Sequence, residues 1–210
     1  KDWLQSQDVY TLHKPRSKKF KRSRVFANHI DDNWQMDLCD MRSISKENYG
    51  FQYILTVIDV FSKFAWIKLL KNKKGPTVLE ALKSVMEKRK PKRLQADEGN
   101  EFFNKACKEF MNKHQIKLYF TRSEIKAAVV ERFNRTLKDK IWKHFTLNKT
   151  NNYVDVIDDL LESYNNSYHR SIKMTPISVN TTNSNIVFLN LYGYDKNLDG
   201  DITQSKKNLK

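Results

Sequence analysis

Three apolar runs near the start of the chain decide its fold class: WQMDLCDM (residues 34–41), YILTVIDV (53–60) and FAWIKLL (64–70). The first run alternates apolar with polar side chains, which is typical of a strand with one buried face. The second is β-branched and almost continuously apolar, as in a strand that is buried on both faces. Gly50 and short polar connections separate the runs. The pattern predicts three consecutive antiparallel strands.

Beyond Gly75 the apolar period becomes helical, and Thr77 stands near the start of the first helix as a possible N-cap. Helical and strand patterns then alternate along the chain, at 78–86 (helix), 93–97 (strand), 102–113 (helix), 116–120 (strand), 126–145 (helix) and 153–168 (helix). This order predicts an α/β fold with a mixed five-stranded sheet, three antiparallel strands first, and helices on both faces. The same element order is that of the ribonuclease-H-like fold.

The composition favours a negatively charged partner. The 210 residues include 39 Lys and Arg against 24 Asp and Glu, so the formal net charge is +15. A hydrophobic content of 39% can supply a core, which excludes a wholly disordered chain. No apolar run is long enough to cross a membrane, and the two cysteines, Cys39 and Cys107, cannot staple a secreted disulfide scaffold. We therefore expect an intracellular, reducing location and a polyanionic partner, with nucleic acid the first candidate.

Charge and composition divide the chain into three predicted segments. Residues 1–24 carry a net charge of +6, so we predict a basic N-terminal arm or linker at 1–30. Residues 31–176 hold the predicted strands and long helices and form the predicted core. Residues 177–210 are rich in Asn, Thr and Ser and are predicted to be a polar C-terminal linker or tail, in which IVFL at 186–189 could make a short strand.

Three acidic residues stand where they could hold metal ions. Asp37 lies in the first predicted strand, Asp97 ends the fourth, and Glu131 lies on the long helix. If the two strands are neighbours, Asp37 and Asp97 converge at the sheet edge where α/β proteins bind ligands, and the helix could bring Glu131 over the same point. Three carboxylates at one point need a hard cation such as Mg²⁺ or Mn²⁺. Two such ions about 4 Å apart would activate the attacking oxygen and stabilise the leaving oxygen of a phosphoryl displacement.

Each acid also has a simpler structural explanation, as a strand end, a turn residue or a solvated helix position. Asp40 and Asp59 are rivals in the same strands. Asp40 has the opposite strand parity from Asp37, so the two cannot face one side of a regular strand. Asp59 sits in a very apolar run and could be a buried, hydrogen-bonded structural acid.

The sequence around the three acids resembles the DDE catalytic core of retroviral-type integrases. Four blocks carry the resemblance in order: WQMDL (34–38), VIDVFSKFAW (57–66), QADEGNEF (95–102) and VERFNRTLK (130–138). Further blocks are most similar to integrases of Polinton/Maverick DNA transposons: YTLHKP (10–15), AAVVERFNRTLK (127–138) and SYNNSYHRSI (163–172). The interval between Asp97 and Glu131 holds 33 residues, slightly fewer than the usual retroviral spacing, which we attribute to a shorter loop around 122–126.

The resemblance implies a metal-dependent polynucleotidyl transferase. Asp37, Asp97 and Glu131 would be both the catalytic residues and the ligands of two Mg²⁺ ions, with Mn²⁺ able to substitute. The enzyme would process DNA 3′ ends and join them to target DNA by in-line transesterification. Its partners would be double-stranded DNA (element ends and target) and further copies of the chain, in a homodimer or higher homo-oligomer in the nucleus. The paired His and Cys of the family's zinc-binding domain have no counterpart here, so we expect no structural zinc in this chain.

The helix that carries Glu131 also offers DNA contacts. Arg135 and Lys138 lie four and seven residues after Glu131 and therefore share its helix face. A cation one or two turns from the metal site can pair with the phosphates that flank the scissile one. The resemblance implies DNA contact at five positions: Asn134, Arg135, Lys138, Arg122 and Lys126. A solvated amphipathic face is the alternative.

Two other functions stay open at this point. A domesticated, catalytically silent integrase-like domain could keep the fold and bind DNA or protein, and metal binding near the acids would separate it from the enzyme. A ribonuclease-H-type nuclease shares the fold and the metals, and a preference for RNA–DNA hybrids would identify it.

Overall fold

The computed structural model describes residues 25–97, 99, 101, 102, 104–120, 127–196 and 202–204. The strands of the main sheet are β1 (Asn33–Asp40), β2 (Tyr53–Asp59), β3 (Ala65–Leu70), β4 (Arg93–Ala96) and β5 (Lys117–Phe120). The α-helices are α1 (Gly75–Val85), α2 (Lys105–Lys113), α3 (Ala128–Asn148), α4 (Ile157–Asn165) and α5 (Ser184–Tyr192). β6 (Tyr194–Lys196) and β7 (Ile202–Gln204) pair as a separate two-stranded sheet.

The main sheet has the strand order β3-β2-β1-β4-β5. β1, β2 and β3 pair antiparallel, while β4 runs parallel to β1 and β5 runs parallel to β4. Antiparallel neighbours can follow one another through short turns, whereas parallel neighbours need a crossover, which α1 and α2 supply here. This order confirms the predicted mixed sheet with three antiparallel strands first.

Apolar layers cover both faces of the sheet. On β1, Trp34 and Met36 pack into the layer that contains α1 and α2, whereas Cys39 packs into the layer that contains α3 and α4. Successive residues of a strand point to opposite faces, so Gln35 and Asp37 share the α3 face with Cys39. The prediction of helices on both faces is confirmed, and the strand parity puts Asp37 on the side of the helix that carries Glu131.

Helix bounds differ from the sequence-based expectation at two places. α1 begins at Gly75 after Lys74 in the N-cap position, and the Thr77 hydroxyl donates to Asn72 Oδ1 at 2.9 Å instead of capping the helix. The last long helical pattern is split into a short 3₁₀ turn, Val154–Val156, and α4. No helix in the described part of the chain is both long and apolar enough to span a lipid bilayer.

The apolar stretch at 186–189 is helical, so the expected short strand is wrong. It lies within α5. The expectation followed the β-propensity of the residues, which is a weak preference that tertiary contacts override. Phe188 packs in a cluster with Phe61, and its ring lies 4.8 Å from the ring of Tyr192. The Tyr192 hydroxyl accepts a hydrogen bond from the amide of Ala27 at 2.9 Å, so α5 is joined to the core on two sides.

We predict that Phe188→Ala lowers the free energy of unfolding by about 3 kcal/mol, because it leaves a cavity where a ring with 1% exposure was packed. Chemical denaturation measures the change. Ile186→Ala is the matched control, since its side chain on the same helix is 57% exposed, and we expect less than about 0.5 kcal/mol. Equal losses for the two variants would show that α5 does not pack as described.

Candidate active site and metal centre

A row of polar side chains crosses three adjacent strands. The strand register pairs Gln35 of β1 with Gln95 of β4, and Gln95 with Tyr119 of β5. The Gln35 amide nitrogen donates to Gln95 Oε1 at 2.8 Å, and the Tyr119 hydroxyl donates to the same oxygen at 3.2 Å. Both glutamines are buried. Because hydrogen bonds are stronger away from water, this row fixes the three strands against one another.

Gln35 also holds the start of α3. Its Oε1 accepts hydrogen bonds from the backbone amides of Val129 at 2.9 Å and Val130 at 3.0 Å. The first amides of a helix have no acceptor within the helix itself. The residue at the N-cap position, Ala127, makes no side-chain cap. A buried side chain of β1 therefore acts as the N-cap of α3 and determines where that helix begins on the sheet.

The hydrogen bonds of Gln35 and Gln95 determine where the elements that carry the three predicted acids lie. Asp37 follows Gln35 by two residues and Asp97 follows Gln95 by two, so the acids stand at equivalent positions beyond the paired glutamines. Glu131 lies in the first turn of α3, directly after the two capped amides. Asp37 is half-buried, whereas Asp97 and Glu131 are exposed. The structure thus carries all three acids on elements that Gln35 and Gln95 tie together.

Asp37 lies in an open cleft of about 650 Å³. Its Oδ1 accepts a hydrogen bond from the Leu38 amide at 2.8 Å, and its Oδ2 accepts one from Asn134 Nδ2 at 2.7 Å. The pKa of Asp37 is nevertheless raised to about 6, chiefly by burial and also by the negative charges of Asp97 and Glu131. Asp97 and Glu131 are therefore close enough to disfavour the ionised form of Asp37.

The same cleft contains three of the residues that the sequence analysis assigned to DNA binding. Arg135 and Lys138 line it together with Glu131, as their helical spacing predicted. Asn134 also lines it, but its side chain is only 7% exposed and its amide nitrogen is engaged by Asp37. Its contacts therefore show it holding a carboxylate in place. The two loop positions of that prediction, Arg122 and Lys126, lie outside the described residues.

The rival acids have different surroundings. Asp40 is exposed and its Oδ2 pairs with Arg42 Nη2 at 2.6 Å, which lowers the pKa of Asp40. Asp59 is fully buried and accepts from the amide of Phe61, the hydroxyl of Ser62 at 2.6 Å and the guanidinium of Arg89 at 3.3 Å. The interpretation of Asp59 as a buried structural acid is confirmed.

The donor set at the cleft fits a divalent metal ion in its chemistry. Asp37, Asp97 and Glu131 offer carboxylate oxygens, which suit hard cations. A cation would offset both the burial of the Asp37 carboxylate and the nearby negative charges, which together raise its pKa. Among the described residues, however, no three His, Cys, Asp or Glu side chains are already gathered in an arrangement that could hold an ion. The carboxylates therefore fit a metal by type. Asp37 and Glu131 line the cleft, whereas Asp97 follows the neighbouring strand β4 and is not among the described lining residues, so the three side chains would have to draw together around an ion.

Comparison with known proteins points to one family. Residues 27–124 match the family model described as the integrase core domain. The chain is 39% identical over 141 residues to a transposon-derived protein of Caenorhabditis elegans, an alignment that covers 66% of this chain and 49% of that protein. It is 30% identical over 91 residues to the retrovirus-related Pol polyprotein from transposon 297 of Drosophila melanogaster, covering 43% of this chain and 9% of the polyprotein. The chain thus spans half or less of the length of these relatives.

Solved integrase structures share the fold. The catalytic core domain of HTLV-2 integrase, in complex with magnesium, superimposes with a TM-score of 0.58 at 20% identity, over 71% of this chain and 95% of that one. The integrase of a simian T-cell lymphotropic virus intasome gives a TM-score of 0.67 at 14% identity, over 98% of this chain and 69% of that one. The ribonuclease-H-like fold of integrase cores is confirmed.

The sequence analysis missed the residues that assemble this site. The motif blocks include Gln35 and Gln95, but the sequence pattern assigns no role to either glutamine. The available signal was their spacing: each glutamine stands two residues before one of the predicted acids, and therefore on the same strand face. The partners of Gln35 at the start of α3 are more than ninety residues away in the chain, and no local pattern marks them.

We predict that Gln35→Met lowers the free energy of unfolding by about 2 to 4 kcal/mol, because two buried helix amides lose their acceptor. Urea denaturation measures the loss, and hydrogen exchange should become faster at the amides of Val129 and Val130. Gln52→Met, at a half-buried position before β2, is the control and should change both quantities little. Unchanged exchange at the two amides in Gln35→Met would refute the capping role.

A second prediction concerns Asp37 in the metal-free protein. Its folded-state pKa of about 6 exceeds the ordinary value of 3.8, so the folded state binds the proton more tightly and loses stability as the pH rises from about 4 to about 6. We expect Asp37→Asn to raise the free energy of unfolding at pH 7.5 by up to about 3 kcal/mol, and the gain to vanish near pH 4.

Denaturation in EDTA at several pH values tests this effect. Asp40→Asn is the opposite-sign control, since Arg42 lowers the pKa of Asp40 and its replacement removes a favourable ion pair. A loss of stability in Asp37→Asn at pH 7.5 would contradict the account of a strained carboxylate.

Proposed function

We propose that this chain is the catalytic core of a DNA integrase, of the type carried by Polinton/Maverick transposons, that processes DNA 3′ ends and joins them to target DNA. The observation that carries the proposal is the common frame of the three acids: Gln35 and its partners hold the elements of Asp37, Asp97 and Glu131 together. The match of residues 27–124 to the integrase core domain supports the same reaction class.

Asp37, Asp97 and Glu131 would hold Mg²⁺ or Mn²⁺, as two ions. When bound, the metal would supply Lewis-acid activation and charge neutralisation at the scissile phosphodiester. The HTLV-2 catalytic core that shares this fold was solved in complex with magnesium, which supports divalent metal use here. The raised pKa of Asp37 is consistent with a site that is left with excess negative charge in the absence of a cation.

The neighbouring residues would orient the reactants. Asn134 donates to one oxygen of Asp37 and the Leu38 amide donates to the other, which together fix the carboxylate at the cleft. Arg135 and Lys138 stand one and two turns along α3 from Glu131 and would hold the phosphates on either side of the scissile one. A cleft lined by both acids and cations could bind a polyanion while holding a metal at the point of reaction.

The partners in this proposal are double-stranded DNA, as element ends and as target, and further copies of the chain. Structures that share the fold include dimeric and trimeric forms of the HTLV-2 catalytic core and a viral intasome, which support catalysis within a homo-oligomer. Because the substrate would be chromosomal DNA, we propose a nuclear location.

We predict that Glu131→Gln abolishes strand joining, with a loss of more than about 100-fold, because the variant removes a metal-binding charge without changing the volume of the side chain. The assay incubates the chain with oligonucleotide element ends and a plasmid target in Mg²⁺ or Mn²⁺, and sequences the junctions. Glu162→Gln, at an exposed position of α4, is the matched control and should join DNA as the wild type does.

Two results would overturn the proposal. Full joining activity in Glu131→Gln would remove that residue from the reaction. Failure of the wild-type chain to take up Mn²⁺ at millimolar concentration, measured by its paramagnetic effect on the resonances of Asn134, would favour the catalytically silent binding domain instead.

A further inference from the structure

A second cavity lies on the other side of α3 from the catalytic cleft. It has a volume of about 470 Å³ and is bounded by α3, by the turn between β2 and β3, and by the turn that follows α4. The described residues that line it share no member with those of the catalytic cleft. Successive residues of a helix are turned by about 100°, so Arg132 points away from the face that carries Glu131. The two cavities therefore flank one helix.

We call this second cavity the cationic pocket, because its described lining residues include basic side chains and no acidic ones. Five of its described lining residues are basic, Lys63, Arg132, Lys140, His169 and Arg170, and none is acidic. Within the part of the chain that the structure describes, the guanidinium groups of Arg132 and Arg170 form no ion pair or hydrogen bond. By contrast, Arg42, Arg89 and Arg93 each pair with an aspartate.

Lys63 makes the pocket more than a surface cluster. Its side chain is only 8% exposed, and its ammonium donates to the carbonyl of Val60 at 2.6 Å. The nearest acid, Asp59, already accepts hydrogen bonds from Ser62 and Arg89. Burial lowers the pKa of Lys63 to about 8; the charge of Arg132 acts in the same direction, and the charge of Asp59 opposes it. A buried ammonium among other cations is costly unless an anion offsets it.

His169 contributes a hydrogen-bond donor. Burial, together with the charges of Lys63 and Arg132, lowers the pKa of His169 to about 4, so the ring is neutral at pH 7. Its Nδ1 accepts from the amide of Ser171 at 3.3 Å. In a neutral imidazole whose Nδ1 accepts, the proton sits on Nε2, which is then a donor. The pocket thus combines an ammonium, two guanidinium groups without a partner among the described residues, and an imidazole N–H around one space.

We propose that the cationic pocket binds a phosphate of the DNA backbone, at a point separate from the metal site. A guanidinium group can bind two oxygens of a phosphate through a pair of hydrogen bonds. A phosphodiester supplies the negative charge and the hydrogen-bond acceptors that the donors of the pocket lack. That the phosphate comes from DNA rests on the proposed integrase function.

The dimensions support a DNA phosphate over a small soluble anion. An α-helix with its side chains is about 10 Å across, and the major groove of B-DNA is about 12 Å wide, so one duplex can reach cations on both flanks of α3. Tyr168 stands at the edge of the pocket with its ring 67% exposed, where a sugar or base could lie against it. The net charge of +15 favours a polyanion as well.

The first test uses pyrophosphate as the probe and the ¹⁵N-labelled 210-residue chain in EDTA. Millimolar pyrophosphate should shift the NMR signals of the His169 ring and the Ser171 amide. The double variant Arg132→Gln/Arg170→Gln should lose at least about 10-fold in affinity for the probe. The double variant Lys68→Gln/Lys113→Gln removes two exposed lysines elsewhere and should bind as the wild type does. Absence of the shifts, or an equal loss in the two double variants, overturns the pocket.

The second test identifies the source of the phosphate. A short duplex DNA without metal should displace pyrophosphate from His169 and Ser171. If the two arginines hold one phosphate, each single variant lowers the slope of log affinity against log salt by about 0.9, and the double variant lowers it no further. Binding of pyrophosphate without displacement by duplex DNA overturns DNA as the occupant and indicates a free phosphate compound. Displacement by an acidic peptide but not by DNA overturns it in favour of a protein partner.

Failure of the proposed function would look different. Glu131 does not line the cationic pocket, so in Glu131→Gln pyrophosphate should still bind with wild-type affinity and should still be displaced by duplex DNA. A chain that joins no DNA but shows this competition supports the pocket while counting against the integrase reaction.

Discussion

The buried amide of Gln35 is the interaction on which the rest of the site depends. Its nitrogen joins β1 to β4 through Gln95, and its oxygen joins β1 to α3 through two backbone amides. A buried polar group that loses a partner costs about 1–3 kcal/mol, so neither the strands nor the helix can slide without a penalty. The acids are attached to the three elements that this amide connects: one in β1, one after β4, one in the first turn of α3. The side chain of Gln35 thus links the pairing of the strands to the relative positions of the three carboxylates.

The contrast between Asp37 and Asp59 shows how the same residue type serves opposite purposes. Asp59 is the more deeply buried, yet amides, a hydroxyl and a guanidinium surround it, so its environment supplies what its charge needs. Asp37 receives hydrogen bonds on both oxygens and still has a raised pKa, because it is half-buried beside two further acids. The fold thus leaves the charge of Asp37 incompletely compensated, and a loss of stability of this kind is typical of functional sites.

Most of the fold could be predicted from the sequence because its strands are marked by local patterns. Alternation identifies β1, the continuous apolar run identifies β2, and the change of period after Gly75 separates sheet from helix. The alternation of side chains along a strand also predicted that Asp37 and Asp40 face opposite sides of the sheet. The prediction of a strand at 186–189 failed because distant contacts determine this element. α5 is helical although its residues favour strands, because it packs against Phe61 and accepts a hydrogen bond from the amide of Ala27. The capping of α3 by Gln35 was hidden for the same reason, because an N-cap is ordinarily sought next to the helix it caps.

The role of α3 follows from what lies on its two flanks. One flank carries Glu131, Arg135 and Lys138 into a cleft that also holds Asp37, so positive and negative groups are mixed where a phosphate and a metal would meet. The other flank carries Arg132 and Lys140 into a pocket without an acid among its described lining residues, where only an anion could balance the charge. The helix is fixed to the sheet at its first turn by a buried glutamine, so both flanks keep their orientation relative to β1. A ligand that touched both would be aligned by the rigid helix between them, and a duplex is a ligand of the width to do so. The net charge of the chain thus matters less than its distribution around one helix, with charges of both signs on one flank and, among the described lining residues, only basic groups on the other.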